Sequence, residues 1–299
     1  GTRGDVPAAN YTVATMQHQV FSRSNVGAFF INKQLTVPTG KERFEDDNRF
    51  NRVFGVDYNL ASANNRWNGK AFYHGSVTPD GLSNGQAASA TVNYSTQHWD
   101  LDWAYDYVDD DYRAETGYIR RTGYHLLAPR AEYKFYPASE KIANHGPDVL
   151  YQSIFDPQWN LTDRTIQFKY EFVFLDRSNL SLNYRREYIK LRNPFDPTHS
   201  TGDTLAANTD YSWDQAEIEY ESDPRSLLNY DLSAGYGGFF HGRRGYVQGN
   251  LKYRIQPYGS ISLNLEYNDL NFPEPYKDAD FWLLGPKFDI TFTRSLFLT

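Results

Sequence analysis

The side chains in this sequence best placed to do chemistry are charged residues set two apart on alternating stretches. Lys169 and Glu171 flank Tyr170, Lys252 and Arg254 flank Tyr253, and Arg185 and Glu266 sit in similar alternations. In an extended chain residues i and i+2 share a face, so each stretch would carry its charges on one side. The pairs Arg120-Arg121, Arg185-Arg186 and Arg243-Arg244 each send one guanidinium to either face. Opposed rows of cations and carboxylates around an aqueous space would set a transverse field that orients solutes, as charged rings do in pores. The same groups could instead close on one another as salt-bridge networks that satisfy half-buried charge. The two readings weigh about equally. Lys169, Glu171, Arg185, Lys252, Arg254 and Glu266 are the candidates for lining such a space.

Other constellations carry less. Asp100, Asp102 and Asp106 share the parity of a polar face, and Asp109-Asp110-Asp111 follows. Three consecutive aspartates lack the alternating spacing of a calcium loop, so a solvated acidic loop is the better reading, as it is for Glu45-Asp46-Asp47. Trp99, Trp103, Tyr105 and Tyr107 could stack sugars, but they share parity with Leu101 and read better as a lipid-facing aromatic girdle. The seven histidines are dispersed, with no HExxH and no G-x-S-x-G elbow. We expect no enzyme, no catalytic residue, no metal and no cofactor. A membrane-embedded Ser–His hydrolase is the weaker alternative, because sequence order does not reveal triad partners.

The elements that must position these residues are strands. The clearest is the hairpin at 164–192, where Ile166, Phe168, Tyr170, Phe172 and Phe174 alternate with Gln167, Lys169 and Glu171. Comparable alternation predicts strands at 10–20, 26–35, 49–60, 66–77, 86–95 and 99–108. It continues at 117–136, 148–155, 208–222, 226–238, 243–255, 260–270 and 281–292. Arg186 breaks the pattern of its strand, which predicts either a bulge or a strand end with both faces wet. Strand 208–222, with Glu217, Glu219 and Glu221, poses the same problem.

Composition limits the class. The 299 residues include 24 Tyr and 20 Phe but no Cys, the net charge is −7, and the mean hydropathy is −0.69. The missing cysteines exclude disulfide scaffolds, and the acidic balance gives no support for nucleic acid. No apolar run reaches the roughly 18 residues of a spanning helix, whereas a barrel strand needs only about 9–11 alternating residues. Tight turns near 22, 62, 95, 138, 176, 223, 256 and 293 alternate with mostly longer polar loops at 36–48, 78–85, 109–116, 193–207 and 271–280. That sorting matches a membrane barrel with short turns on the periplasmic side and long loops at the cell surface. The expected fold is one all-β domain over 1–299, an antiparallel transmembrane β-barrel of about 15–16 strands. Its edge strands are expected to need partners from a larger barrel.

Four stretches carry a resemblance: NYTVATMQHQVFSRSNVGAFFINKQ at 10–34, NRFNRVFGVDYNL at 48–60, ETGYIRRTGYH at 115–125 and FFHGRRGY at 239–246. They resemble an uncharacterised family of Gram-negative outer-membrane proteins in which a carbohydrate-binding-like β-domain precedes a C-terminal barrel. The resemblance implies barrel and location, and no activity. The expected function is a channel or translocation pore for solutes or larger cargo in the bacterial outer membrane. The alternative is a structural or assembly subunit of a larger outer-membrane complex. The expected partners are outer-membrane lipid, with other outer-membrane or surface proteins as further candidates.

Overall fold

The computed structural model describes residues 8–36, 49–79, 85–198, 204–292 and 296–298. It is all-β and antiparallel, with sixteen strands, a two-residue seventeenth and no helix among the described residues. The strands are β1 (Ala9–Val20), β2 (Ser24–Leu35), β3 (Phe50–Ala61), β4 (Trp67–Val77), β5 (Gln86–Ser95) and β6 (Trp99–Val108). Next come β7 (Tyr124–Leu127), β8 (Arg130–Tyr133), β9 (Ile142–Phe155), β10 (Leu161–Phe174) and β11 (Asn179–Lys190). The last are β12 (Asp210–Glu221), β13 (Leu228–Phe239), β14 (Gly242–Ile255), β15 (Gly259–Asn271), β16 (Ala279–Thr291) and β17 (Phe297–Leu298).

The chain divides into two compact units, Gly1–Pro129 with Gln152–Leu161, and Arg130–Tyr151 with Thr162–Thr299. In the first, β1 to β7 pair in sequence, and β7 also pairs the end of β9. In the second, β8 pairs β9, β9 pairs β10, and the meander continues to β17. β1 pairs β2 along its length, and β16 pairs β15 along its length and β17 over two residues.

Most strand bounds fall within a few residues of the alternation in the sequence. The stretch 117–136 differs. It is not one strand: residues 117–123 form a loop, and β7 and β8 are four residues each, separated by Ala128-Pro129. Proline cannot donate to a ladder, so the strand is interrupted where Pro129 stands. Residues 142–147, expected as a connection, belong to β9. Gly146 and Pro147 hide that strand from a periodicity count. A Cβ at Gly146 would stand 1.7 Å from the Tyr133 carbonyl oxygen, so only glycine fits this close approach.

The two faces of these strands invert the order of a water-soluble protein. On β3 the apolar Phe54 and Val56 are exposed, Val56 to 54%, while Asn51, on the other face of the same strand, is only 1% exposed. On β6 Trp99, Leu101 and Trp103 are exposed while Asp100 and Asp102 are half-buried, both accepting from Asn93 Nδ2 at 2.7 and 2.8 Å. On β14 Val247, Leu251, Tyr253 and Ile255 are exposed while Gln248, Asn250, Lys252 and Arg254 are half-buried. Monomers in water rarely leave contiguous apolar surface of more than a few hundred Å² uncovered.

The register also decides the problem at Arg186. The β10–β11 pairing is unbroken from Asp163 to Val173, and the β11–β12 pairing from Asn179 to Lys190. No bulge shifts the strand. Arg186 stays on the face of Leu182 and Tyr184, facing Asp214 at 4.0 Å, and Asp214 accepts from the Tyr184 hydroxyl at 2.7 Å. The upper part of this face is therefore charged.

Short turns close the hairpins at one end of each unit. In the second unit, Asp176 accepts from the Ser178 hydroxyl at 2.6 Å and its amide at 2.9 Å, and Arg225 clamps Asp223 and donates to the Asp176 carbonyl. These bonds hold both carboxyls below the usual range, through the Ser178 hydroxyl for Asp176 and the Arg225 side chain for Asp223. A depressed folded pKa means stability present above the ordinary value of 3.8 and lost as pH falls through the lowered one. Thermal melts at about pH 6 and about pH 2.5 should therefore show this loss. The double variant Asp176→Asn, Asp223→Asn should show a smaller acid-dependent drop than the wild type. An equal drop would place the acid sensitivity elsewhere.

Candidate functional site: a polar network across strands β8 to β15

Consecutive strands of the second unit present their charged side chains to one another. Arg130 grips Asp148 with both arms, Nε to Oδ1 at 2.9 Å and Nη2 to Oδ2 at 3.0 Å, and also reaches Glu132 at 3.1 Å. Lys134 meets Glu132 at 3.2 Å. Lys169 stands 3.8 Å from Asp148 and 3.3 Å from Glu171, which also accepts from the Ser181 hydroxyl at 3.4 Å. Each cation thus meets a carboxylate on its own or a neighbouring strand, which is what lets half-buried ions share a face without net repulsion.

Glu217 is the hub. Arg185 Nη2 donates to it at 3.0 Å, Asn183 Nδ2 at 3.2 Å, and the Tyr246 hydroxyl closes on the same carboxylate. Tyr246 can lie there because its cross-strand partner is Gly235, where a Cβ would come within 2.4 Å of the phenol ring. Arg244 stacks 4.6 Å above the same ring and donates to Asn268 Oδ1. A shallow, open groove of about 660 Å³ runs over the apolar side chains Leu182, Ala216, Ile218, Ala234, Tyr236 and Val247, with Glu217 and Tyr246 at its lining. Gly235→Ala should displace Tyr246 and lower stability measurably, whereas Gly245→Ala, with Tyr236 at 3.5 Å, should be milder. Denaturant titration of the two variants compares them, and equal losses would contradict the packing.

Of the six candidates from the sequence, Lys169, Glu171 and Arg185 enter this network. Lys252, Arg254 and Glu266 lie on half-buried positions of β14 and β15, and Glu266 accepts from Asn268 at 2.8 Å. Three central members were not singled out: Asp148, Glu217 and Tyr246. Glu217 had a signal, since Glu217, Glu219 and Glu221 alternate with Ile218 and Tyr220 at strand period. Tyr246 had none, because its pairing depends on the gap at Gly235.

At the end opposite the short turns, each unit carries loops packed against its own strands. In the second, Phe195, Tyr211, Trp213, Phe239, Phe240 and Phe272 form a ring cluster, with Trp213 5.0 Å and Phe195 5.5 Å from Phe240. Buried Leu205 bridges Phe195 by paired backbone hydrogen bonds. In the first, Asp110 and Asp111 are exposed, as a solvated acidic loop requires, but the residue after them anchors the loop. Tyr112 is buried with Val53 and Ala87 against Phe29, Ile31 and Val108. The Asp109 carboxylate accepts from the Tyr107 hydroxyl at 3.1 Å and the Asp111 amide at 3.2 Å. The Trp/Tyr stripe of β6 gains a neighbour on its own face: Tyr105 bonds His125 at 2.9 Å, and Trp159 stacks on that imidazole at 4.1 Å.

Residues 37–48 and 199–203, including Glu45-Asp46-Asp47 and Gly202, lie outside the described residues. The model of a family described as a domain of unknown function (DUF5916) matches residues 5–285, and the chain belongs to that family. No curated protein matches it.

Proposed function

We propose that this DUF5916 chain is membrane-spanning wall of a bacterial outer-membrane β-barrel, with its polar face lining a passage for solutes or larger cargo. One observation carries the reading: on strand after strand the large apolar side chains are exposed while the charged ones are half-buried and paired. Such an arrangement is unfavourable in water and favourable when hydrocarbon covers the apolar face. Strands of 10–14 residues, as most are here, have the length that tilted crossing requires. The charged outer positions Arg186 and Asp214 then mark where β11 and β12 rise above the bilayer. The proposal assigns no enzyme chemistry and no cofactor; lipid is the first partner.

Purified protein reconstituted into liposomes tests the passage. Release of small trapped dyes, with retention by vesicles carrying denatured protein, is the expected result. Protein that inserts but releases nothing would overturn it. A second reading, an assembly subunit with a closed interior, is favoured by the loops packed against each unit's strands. It predicts insertion without flux.

A further inference from the structure

We propose that residues 109–123 form a fixed constriction in that passage, an inference that rests on the channel reading above. The segment leaves β6 at the long-loop end and folds back over the face of β2 to β5 that carries Lys33, Asn51, Val53 and Ser76. Four separate ties hold it. Asn51, buried to 1%, donates from Nδ2 to the Arg113 carbonyl at 2.8 Å and accepts from the Glu115 amide at 3.1 Å. The equally buried Ser76 hydroxyl accepts from the Arg113 amide at 3.0 Å. Lys33 pairs with Glu115, which also meets Arg113 at 3.3 Å. Tyr112 fills the apolar pocket already described.

Two glycines make the approach feasible. A Cβ at Gly85 would stand 2.1 Å from the Tyr112 amide nitrogen, and Gly123, at φ +66°, has Asp110 where its side chain would be. A loop that was merely solvated would have no use for a buried asparagine whose amide bonds its backbone at both ends. A buried amide is costly unless bonded, so Asn51 is explained only if the loop stays in place.

The held segment presents a tip. After a tight turn, Gly117 amide to Ala114 carbonyl at 3.1 Å, the residues Thr116, Gly117, Tyr118 and Arg120 are all exposed, Tyr118 to 89%. A rigid base with a projecting aromatic and cationic tip is the geometry of a size filter. Solutes passing along this face must clear Tyr118 and Arg120.

Single-channel conductance in planar bilayers tests this with the unaltered protein and a variant in which Thr116, Tyr118 and Arg120 are replaced by glycine, leaving the four ties and the packed Ile119 in place. The expected result is a several-fold higher conductance for the variant. Equal, finite conductance overturns the constriction and leaves the passage standing. No conductance from either protein removes both. Current only from the variant supports the segment as a tighter block. A second readout uses Tyr118→Cys, unambiguous in a chain without cysteine. A bulky thiol reagent should then reduce the current, and unchanged current after complete labelling would count against the tip.

Discussion

Leu263→Arg is expected to cost the membrane-inserted protein about 2–4 kcal/mol, whereas Asn264→Arg should be mild. Leu263 lies on the exposed apolar face of β15, opposite Leu251 on β14 and Pro286 on β16. A guanidinium there would sit in hydrocarbon with no partner on either neighbour. Asn264 points to the other face, between Asn250 and Gly285, where its Cβ lies 3.6 Å from the position a Gly285 side chain would take. An arginine at 264 would find amide partners and open space. Unfolding in phospholipid vesicles measures both costs. Equal penalties would contradict the assignment of faces for this strand, and with it the account of the second unit.

Glu217→Ala is expected to cost about 1.5–3 kcal/mol, the range for hydrogen bonds to charged groups. The loss exceeds one bond because Arg185, Asn183 and Tyr246 all converge on that carboxylate. Truncation would leave a half-buried guanidinium without its counter-ion, and removing one member of such a pair costs more than the pair contributes. Glu217→Gln should recover part of the loss, since its amide oxygen still accepts from Tyr246. A double-mutant cycle with Arg185→Ala isolates the ionic part. An additive cycle would mean that the 3.0 Å contact has no energetic coupling.

The strands were legible because their side chains alternate with a period of two over most of their length. Phe168 at 52% exposure beside half-buried Lys169 shows that simple parity placed both residues. Parity says nothing about which neighbour a side chain meets. Arg185 read as a candidate for a wet interior, yet its partner Glu217 lies 32 residues away. The loop at 109–123 was illegible for a related reason. Its fold depends on Asn51 and Ser76, more than thirty residues earlier, bonding to backbone that carries no sequence signature. The strand expected at 117–136 failed because apolar and aromatic residues there, such as Tyr118 and Ile119, belong to the loop, and Pro129 splits what remains.

The central claim is that one face of these strands meets hydrocarbon. Spin labels on single cysteines along residues 260–268 of β15, in protein reconstituted into vesicles, measure it most directly. Labels at 261, 263, 265 and 267 should be accessible to oxygen dissolved in lipid and shielded from a water-soluble paramagnetic complex. Labels at 262, 264, 266 and 268 should show the opposite, giving a period of two along the strand. Uniform access of the water-soluble complex at all eight positions would contradict the membrane-spanning account.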